Sequence, residues 1–475
     1  MWLFLLPFLS ALVILVFPLP EKLLKRLAIV LSLIPLAFLL YHHDAWIGSS
    51  INYVWMPALS INFHLNIDSL SLLFVYLTAV IIPISLFAVN RTHLNYPHFL
   101  YGLILFVQGL MIGFFTARDL ALFTIFYESM LIPLYLIITL WGDHSRQMAG
   151  LKFIIYMIAG STLMVAAVLA LYFLGPHTFN MDALANVSDK AAYASLLGGV
   201  FLLAFAVKTP LFPFHGWLPD AYYHAPSSGT IILAGLLSKA GIYGILRVMM
   251  EIFPSLMMKW TPLLIGLAIS GVLYGGLAAW LQNDFKRLIA YSSLSHVNFI
   301  LVGLFVWNEV AHSGAILQAI NHGITITALF LVAGWLQERM GSTRIGQVSG
   351  LAKYLPHLCW LTLFFVLASV ALPGTNNFIG ELMIFFGLFG SNPWLTALLG
   401  LSIILSVVYM LRWMQKVYFE EPSVFKESEV DIKTKEFLIA LPLIFLILWI
   451  GIYPKPLLKM TNAAAERVIV KEIYP

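Results

Sequence analysis

The chain is 475 residues long, 61% hydrophobic and only 10% charged, with a mean hydropathy of +0.92. Soluble proteins are about one quarter charged, so this composition excludes the soluble globular class. A balance of 26 Lys and Arg against 22 Asp and Glu, with no basic block, leaves nucleic-acid binding without a footing. The single cysteine, Cys359, excludes a disulfide framework, a thiolate zinc site and a four-cysteine iron–sulfur cluster within the chain.

A bilayer core is crossed by about 20 apolar residues. Windows of that kind fall at roughly 2–19, 24–41, 68–89, 98–117, 120–141, 150–174, 193–213, 228–250, 260–282, 287–306, 311–336, 357–390, 394–419 and 436–453. Backbone in lipid must satisfy its own hydrogen bonds, so these spans are expected to be helices. The first reads as a span rather than a signal peptide, since no basic segment precedes it and Leu19-Pro20-Glu21-Lys22 offers no small-residue cleavage site. The expected fold is an all-α polytopic membrane protein of about 14 transmembrane helices.

The longest polar stretches, near 42–67, 175–192 and 420–435, are too small for a nucleotide- or flavin-binding domain, and no GxGxxG or Walker lysine motif occurs. The chemistry therefore belongs inside the membrane. Loops after odd-numbered spans collect sixteen Lys and Arg, Arg91 and Lys426 among them. The other loops and both termini collect eight, including Lys190. The positive-inside rule then predicts both termini outside. The two remaining basic residues, Lys208 and Lys239, lie within spans.

Two spans look broken. Pro210 and Pro213 interrupt the seventh, and Pro373-Gly374 interrupts the twelfth within Ala371-Leu372-Pro373-Gly374-Thr375-Asn376-Asn377. Proline removes an amide hydrogen and clashes with the preceding turn, so both helices should unwind there. Interrupted spans in corresponding positions point to two inverted repeats with a site at the bilayer midplane, the alternative being two unrelated proline kinks. Residues 1–97 would then carry helices 1–3 and 98–250 the first five-helix repeat. The second repeat would occupy 260–419, and 420–475 would hold a loop, helix 14 and the C-terminal tail.

A lysine or aspartate at a helix centre costs about 2.5–3.5 kcal/mol on insertion scales. Glu128, Lys208, Lys239 and Glu381 all sit well inside spans, and their charges cancel, as a shared polar interior would require. Static ion pairs between helices are the bland reading, but intramembrane ionisable residues are functional by default. His296 and His322 also lie within spans, and a neutral imidazole that both donates and accepts can relay a proton. Ser293, Thr325 and Thr327 are candidates to hold intervening water. His215 and His224 read as loop-fixing or as lining the mouth of an inlet. No cluster has metal-ligand spacing, and no cofactor-binding motif occurs, so a proton suits these residues better than a larger solute.

At these residues the chain resembles a known family. The run Val207-Lys208-Thr209-Pro210-Leu211-Phe212-Pro213-Phe214-His215-Gly216-Trp217-Leu218-Pro219-Asp220 resembles the antiporter-like subunits of respiratory complex I, NADH:quinone oxidoreductase. So do Lys239-Ala240-Gly241-Ile242-Tyr243-Gly244 and Lys286-Arg287-Leu288-Ile289-Ala290-Tyr291-Ser292-Ser293, and the similarity runs from span 3 through span 13. Glu381 on the second broken helix is similar to the M, or chain 4, type, where the sister L and N types and Mrp-type antiporter chains usually carry lysine.

The resemblance implies a proton channel: Glu128 as partner carboxylate, Lys208 on the first broken helix, Lys239 as the connecting lysine and Glu381 as the exit group. His296 and His322 match family histidines that link the last two. It further implies flavin, iron–sulfur clusters and quinone on partner subunits, with none in this chain. The implied neighbours are other membrane subunits, especially L and N, and lipid, in a bacterial inner membrane. In the mechanism expected, separation of the Glu128–Lys208 pair releases the Lys208 proton toward Lys239, and it passes by water and His322 to Glu381 and outward. An Mrp-type cation/proton antiporter and a membrane-bound hydrogenase complex are the competing assemblies.

Overall fold

The computed structural model describes residues 2–17, 19–42, 45–89, 95–185, 189, 191–347, 349–421 and 431–473. Arg91, Lys190 and Lys426 of the loop count lie outside the described residues. Among those described, eleven helices are long and apolar enough to cross a membrane, from Glu21–Tyr41 to Thr434–Ile452. Three shorter apolar helices, Trp2–Val16, Ala194–Lys208 and Pro356–Ser369, fill the remaining positions, so each of the fourteen windows holds a helix. The chain is a helical, multi-pass membrane protein.

Polar residues set where several helices begin. Asp68, Asp119, Asp284, Asn308 and Asn392 each sit in extended conformation and accept hydrogen bonds from the first-turn amides of the helix that follows. A side-chain oxygen there satisfies an amide that has no partner within its own helix.

The chain divides into two compact units. The first comprises residues 1–209, 224–261 and 466–475. Besides its helices it holds an antiparallel hairpin, Ser50–Met56 with Ile61–Asn66, paired from Ser50 opposite Asn66. Ser60 turns the hairpin in the left-handed region at φ 55°. In the sequence 42–67 shows only as a polar stretch, because the outward strand of this hairpin is almost wholly exposed and has no alternation of burial.

Inside the first unit the span 120–141 is interrupted as well: Leu120–Ser129 and Leu131–Trp141 meet at Met130. Pro133 cannot donate to the Ser129 carbonyl, and its ring crowds that position. The span Ser227–Ile252 is buried throughout its apolar window. It carries two π-helical segments, Leu233–Leu237 and Ile245–Met249, on either side of Ser238–Gly244. Such π segments release backbone carbonyls from the regular ladder and are frequent at functional sites. Gly241 lets this helix touch the end of Ala194–Lys208, since a Cβ there would stand 2.6 Å from the Thr209 amide nitrogen.

The second unit comprises residues 210–223 and 262–465. Its core is the 32-residue helix Glu309–Met340, with every residue from Ala311 to Leu336 buried. Both expected breaks are present. Helix Ala194–Lys208 stops at its lysine and helical structure resumes only at Leu218–His224. Pro356–Ser369 gives way, through Ala371 and Gly374 at φ 57° and 92°, to Asn376–Ser391. Within this unit side-chain amides satisfy the unwound backbone. Asn298 Nδ2 donates to the Pro210 carbonyl at 3.1 Å while its Oδ1 accepts from the Phe212 amide at 3.2 Å. Asn377 Nδ2 donates to the Ala368 carbonyl at 3.1 Å. The C-terminal tail is also helical, Lys455–Ile473.

Candidate functional site

In the first unit Lys208, 1% exposed, ends its helix with the side chain directed at Tyr127. Its Nζ donates to the Tyr127 carbonyl at 2.9 Å and stands 3.0 Å from the centroid of the Tyr127 ring. A desolvated cation over an aromatic face gains roughly 2 kcal/mol. Tyr127 is itself fixed, donating from its hydroxyl to the Ala204 carbonyl at 3.0 Å. Glu128, the next residue, is half-buried; its Oε2 accepts from Ser161 Oγ at 2.9 Å, and its Oε1 is buried with no partner among the described residues. Lys208 and Glu128 form no ion pair, although the carboxylate is near enough for its charge to act on the ammonium. Sequence reading expected a direct pair. The lysine is held by Tyr127, through its carbonyl and its ring.

Lys239 is fully buried in the short α segment between the two π segments, and its Nζ donates to the Ala234 carbonyl at 2.7 Å. Thr209 Oγ1, buried beside Gly241, has no hydrogen-bond partner among the described residues. On the Lys208 side this unit thus gathers Glu128, Lys208, Tyr127 and Ser161, and the Lys239 helix packs against the residue that follows Lys208.

The same unit holds a second charged cluster. Arg247, fully buried, reaches Asp68 at 2.8 Å and Glu251 at 2.7 Å. Arg118 reaches Asp182 at 2.6 Å and Glu251 at 3.2 Å, and Arg467 reaches Asp68 at 3.0 Å and Asp182 at 3.2 Å. Three cations and three acids neutralise one another. The i, i+4 spacing of Arg247 and Glu251 was the one sequence signal available.

In the second unit Glu381, five residues into Asn376–Ser391, lies 7% exposed. Its Oε1 accepts from Gln318 Nε2 at 3.2 Å and faces His296 Nδ1 at 3.5 Å. The His296 and His322 rings are 5.8 Å apart between centroids. The structure brings together Glu381, His296 and His322 and adds Gln318. That residue lies one turn before His322 on the same helix face, and the spacing would have revealed it. Asn321 Nδ2 donates to the Asn376 carbonyl at 2.7 Å and Asn376 Nδ2 to the Asn321 carbonyl at 3.1 Å, clamping the break to the central helix. Thr325 Oγ1 meets Asn376 Oδ1 at 3.3 Å.

Ser293 Oγ, His296 Nε2, Gln318 Oε1, Asn321 Oδ1 and Thr327 Oγ1 are buried in this unit without partners among the described residues. Buried polar atoms are costly unless bonded, and water is the partner that also conducts protons. His215 stacks on Phe212 at 5.4 Å and sits 4.8 Å from the Tyr274 ring. His224, in the first unit, accepts from the Asp143 amide through its carbonyl at 2.8 Å. Neither is brought to a titrating cluster by these contacts. Among the described residues no group of three or more His, Cys, Asp or Glu side chains is arranged to hold a metal ion.

The family described as NADH:quinone oxidoreductase/Mrp antiporter, TM, matches residues 117–423. NADH-quinone oxidoreductase subunit M of Escherichia coli (strain K12) is 36% identical over 434 residues, 88% of this chain and 85% of its own length. A chain of respiratory complex I from Thermus thermophilus with bound NADH superposes with a TM-score of 0.91 at 32% identity, covering 99% of this chain and 98% of that one. A chain of the Mrp complex from Dietzia sp. DQ12-45-1b, at 23% identity and a TM-score of 0.89, covering 100% of this chain and 98% of that one, shares the fold. The chain belongs to the NADH:quinone oxidoreductase/Mrp antiporter family of transmembrane proteins, among the M subunits of NADH-quinone oxidoreductase.

Proposed function

We propose that this chain translocates protons across the membrane as the antiporter-like M subunit of an NADH:quinone oxidoreductase. Electron transfer from NADH to quinone runs on partner subunits that carry the flavin, iron–sulfur clusters and quinone site. The observation that carries this reading is the pair of buried titratable clusters, Glu128–Tyr127–Lys208 and Glu381–His296–His322, each at an interrupted helix. Glu381 in the place where Mrp-type chains usually carry lysine favours this assembly over a free-standing antiporter.

In the first unit, Tyr127 and the neighbouring Glu128 charge hold a proton on Lys208. Weakening the Glu128 interaction releases it toward Lys239. In the second unit, His322 and His296 deliver a proton to Glu381, which discharges it outward. Moving one charge against the membrane potential takes about 2.3 kcal/mol per 100 mV, and this must come from the redox partners. The repeats 98–250 and 260–419 insert with opposite topology, and both termini face the outside of a bacterial inner membrane. The sister subunits L and N and membrane lipid flank the chain.

Purification of the tagged chain from its native membrane in mild detergent, with mass spectrometry of what accompanies it, tests the assembly. NADH-oxidising and iron–sulfur subunits are expected. Recovery with nickel–iron hydrogenase chains, or with membrane antiporter chains alone, would replace the assigned function.

A further inference from the structure

We propose that Gln318 is a positioning residue for proton release: its amide serves both protonation states of Glu381 and sets how tightly that carboxyl holds its proton. The inference rests on the reading that Glu381 carries the translocated proton. Its grounds are geometric. Gln318 Nε2 donates to Glu381 Oε1 at 3.2 Å, and Gln318 is fully buried on the central helix of the second unit. Its Oε1 is buried with no partner among the described residues. Gln318 is thus the neutral side chain bonded to this carboxylate, and its acceptor end is unused.

The seat is made by missing side chains. Gly380, immediately before Glu381, lies so close that a Cβ there would stand 2.4 Å from Gln318 Oε1 and 2.9 Å from Gln318 Cβ. One turn before Gln318, Gly314 would place a Cβ 2.5 Å from Met383 Cβ and 3.1 Å from the Gly380 carbonyl oxygen. Glycine on both faces brings the helices nearly backbone to backbone. The amide is therefore held against the carboxyl by shape.

A carboxyl that gains and loses a proton changes from acceptor to donor, and a buried partner suited to one state is left unsatisfied in the other. A primary amide has two donors and one carbonyl acceptor. Its N–H serves the carboxylate, and a half-turn of the amide presents Oε1 to the protonated acid. The other titratable groups facing Glu381 are His296 at 3.5 Å, His322 behind it, and Tyr409, whose hydroxyl is engaged with Ser292 Oγ at 3.0 Å. None of them can serve both states without changing its own protonation or abandoning its partner.

Gln318→Leu removes the donor to the carboxylate and favours the neutral acid, so the proton is held more tightly and release needs higher pH. In native membranes the acid limb of the pH profile of NADH-driven proton translocation should move up by about one unit, about tenfold in proton affinity, at wild-type complex content. Gln318→Glu, which keeps the size but adds an acid beside Glu381, should move it in the same direction and decides the matter should the leucine variant not assemble. An unmoved profile in the assembled variants overturns the role of Gln318. Wild-type translocation in Glu381→Gln instead overturns the reading of Glu381 itself.

Discussion

The two titratable clusters solve the burial of charge in different ways. Around Lys208 the cation is gripped by one residue, Tyr127, through its carbonyl and its ring. Around Glu381 the carboxylate is shared between a glutamine and a histidine at 3.2 and 3.5 Å, among several hydroxyl and amide oxygens without partners among the described residues. A tight single grip suits a group that must hold its proton until a neighbour's charge changes. A loose, many-sided polar pocket suits a group that passes protons through water. The same contrast appears in the backbone, where Lys239 is fixed by a carbonyl of a π segment, Ala234, and Glu381 stands on a regular helix behind an amide-clamped break.

This contrast can be broken at its strongest point first. Lys239→Met keeps the length of the side chain but removes the charge, and proton translocation should drop at least about tenfold, in line with a lost proton-transfer group. Complex content by native gel should stay near wild type. Gly241→Ala should act through structure instead, because its Cβ would meet the Thr209 backbone at 2.6 Å, where nothing flexible can yield. Overpacking of this kind costs about 1–3 kcal/mol, read as a lower Tm in detergent together with slowed translocation. The grip on Lys208 is sharpened by Tyr127→Leu, which removes the ring and leaves the carbonyl. About 2 kcal/mol of cation stabilisation is lost, and the pH profile of translocation should change shape while Tyr127→Phe leaves it nearly intact.

The smallest effect tests the scaffold of the second cluster. Asp431 caps the helix Pro356–Ser369, accepting from the His357 and Leu358 amides at 2.9 and 3.1 Å and from the His357 ring at 2.7 Å. Burial works to raise its proton affinity, but the bonds from the His357 amide and ring and the Ile432 and Leu358 amides outweigh it and hold the carboxyl below the usual range. A depressed carboxyl contributes stability that is fully present above its unfolded value, near 3.8, and is lost as pH falls through the lower folded value. Asp431→Ala should therefore lower stability by about 1 kcal/mol at neutral pH, with the difference in Tm shrinking below about pH 4.

Much of this molecule was legible in the sequence because lipid forces helices and taxes charge. The fourteen spans, the breaks at Pro210 and at Pro373-Gly374, and the buried positions of Lys208, Lys239 and Glu381 follow from hydropathy and proline chemistry. The bend at Met130, the π segments beside Lys239 and the hairpin 50–66 did not show, since each depends on packing that leaves no periodic mark. Tyr127 was hidden for a related reason: its backbone carbonyl does half the work, and every residue type has one. Gln318 and Asn298 are hidden because neutral amides inside spans do not stand out as charges do, although an unmet amide bond is costly too when buried.

The central claim, that these buried groups carry protons, is tested most directly by Glu128→Gln in native membranes energised with NADH. The substitution keeps the size and the reach to Ser161 but removes the charge that acts on Lys208. A loss of proton translocation of about tenfold or more, with normal complex content, is the predicted result. Wild-type proton translocation in that variant would contradict the account.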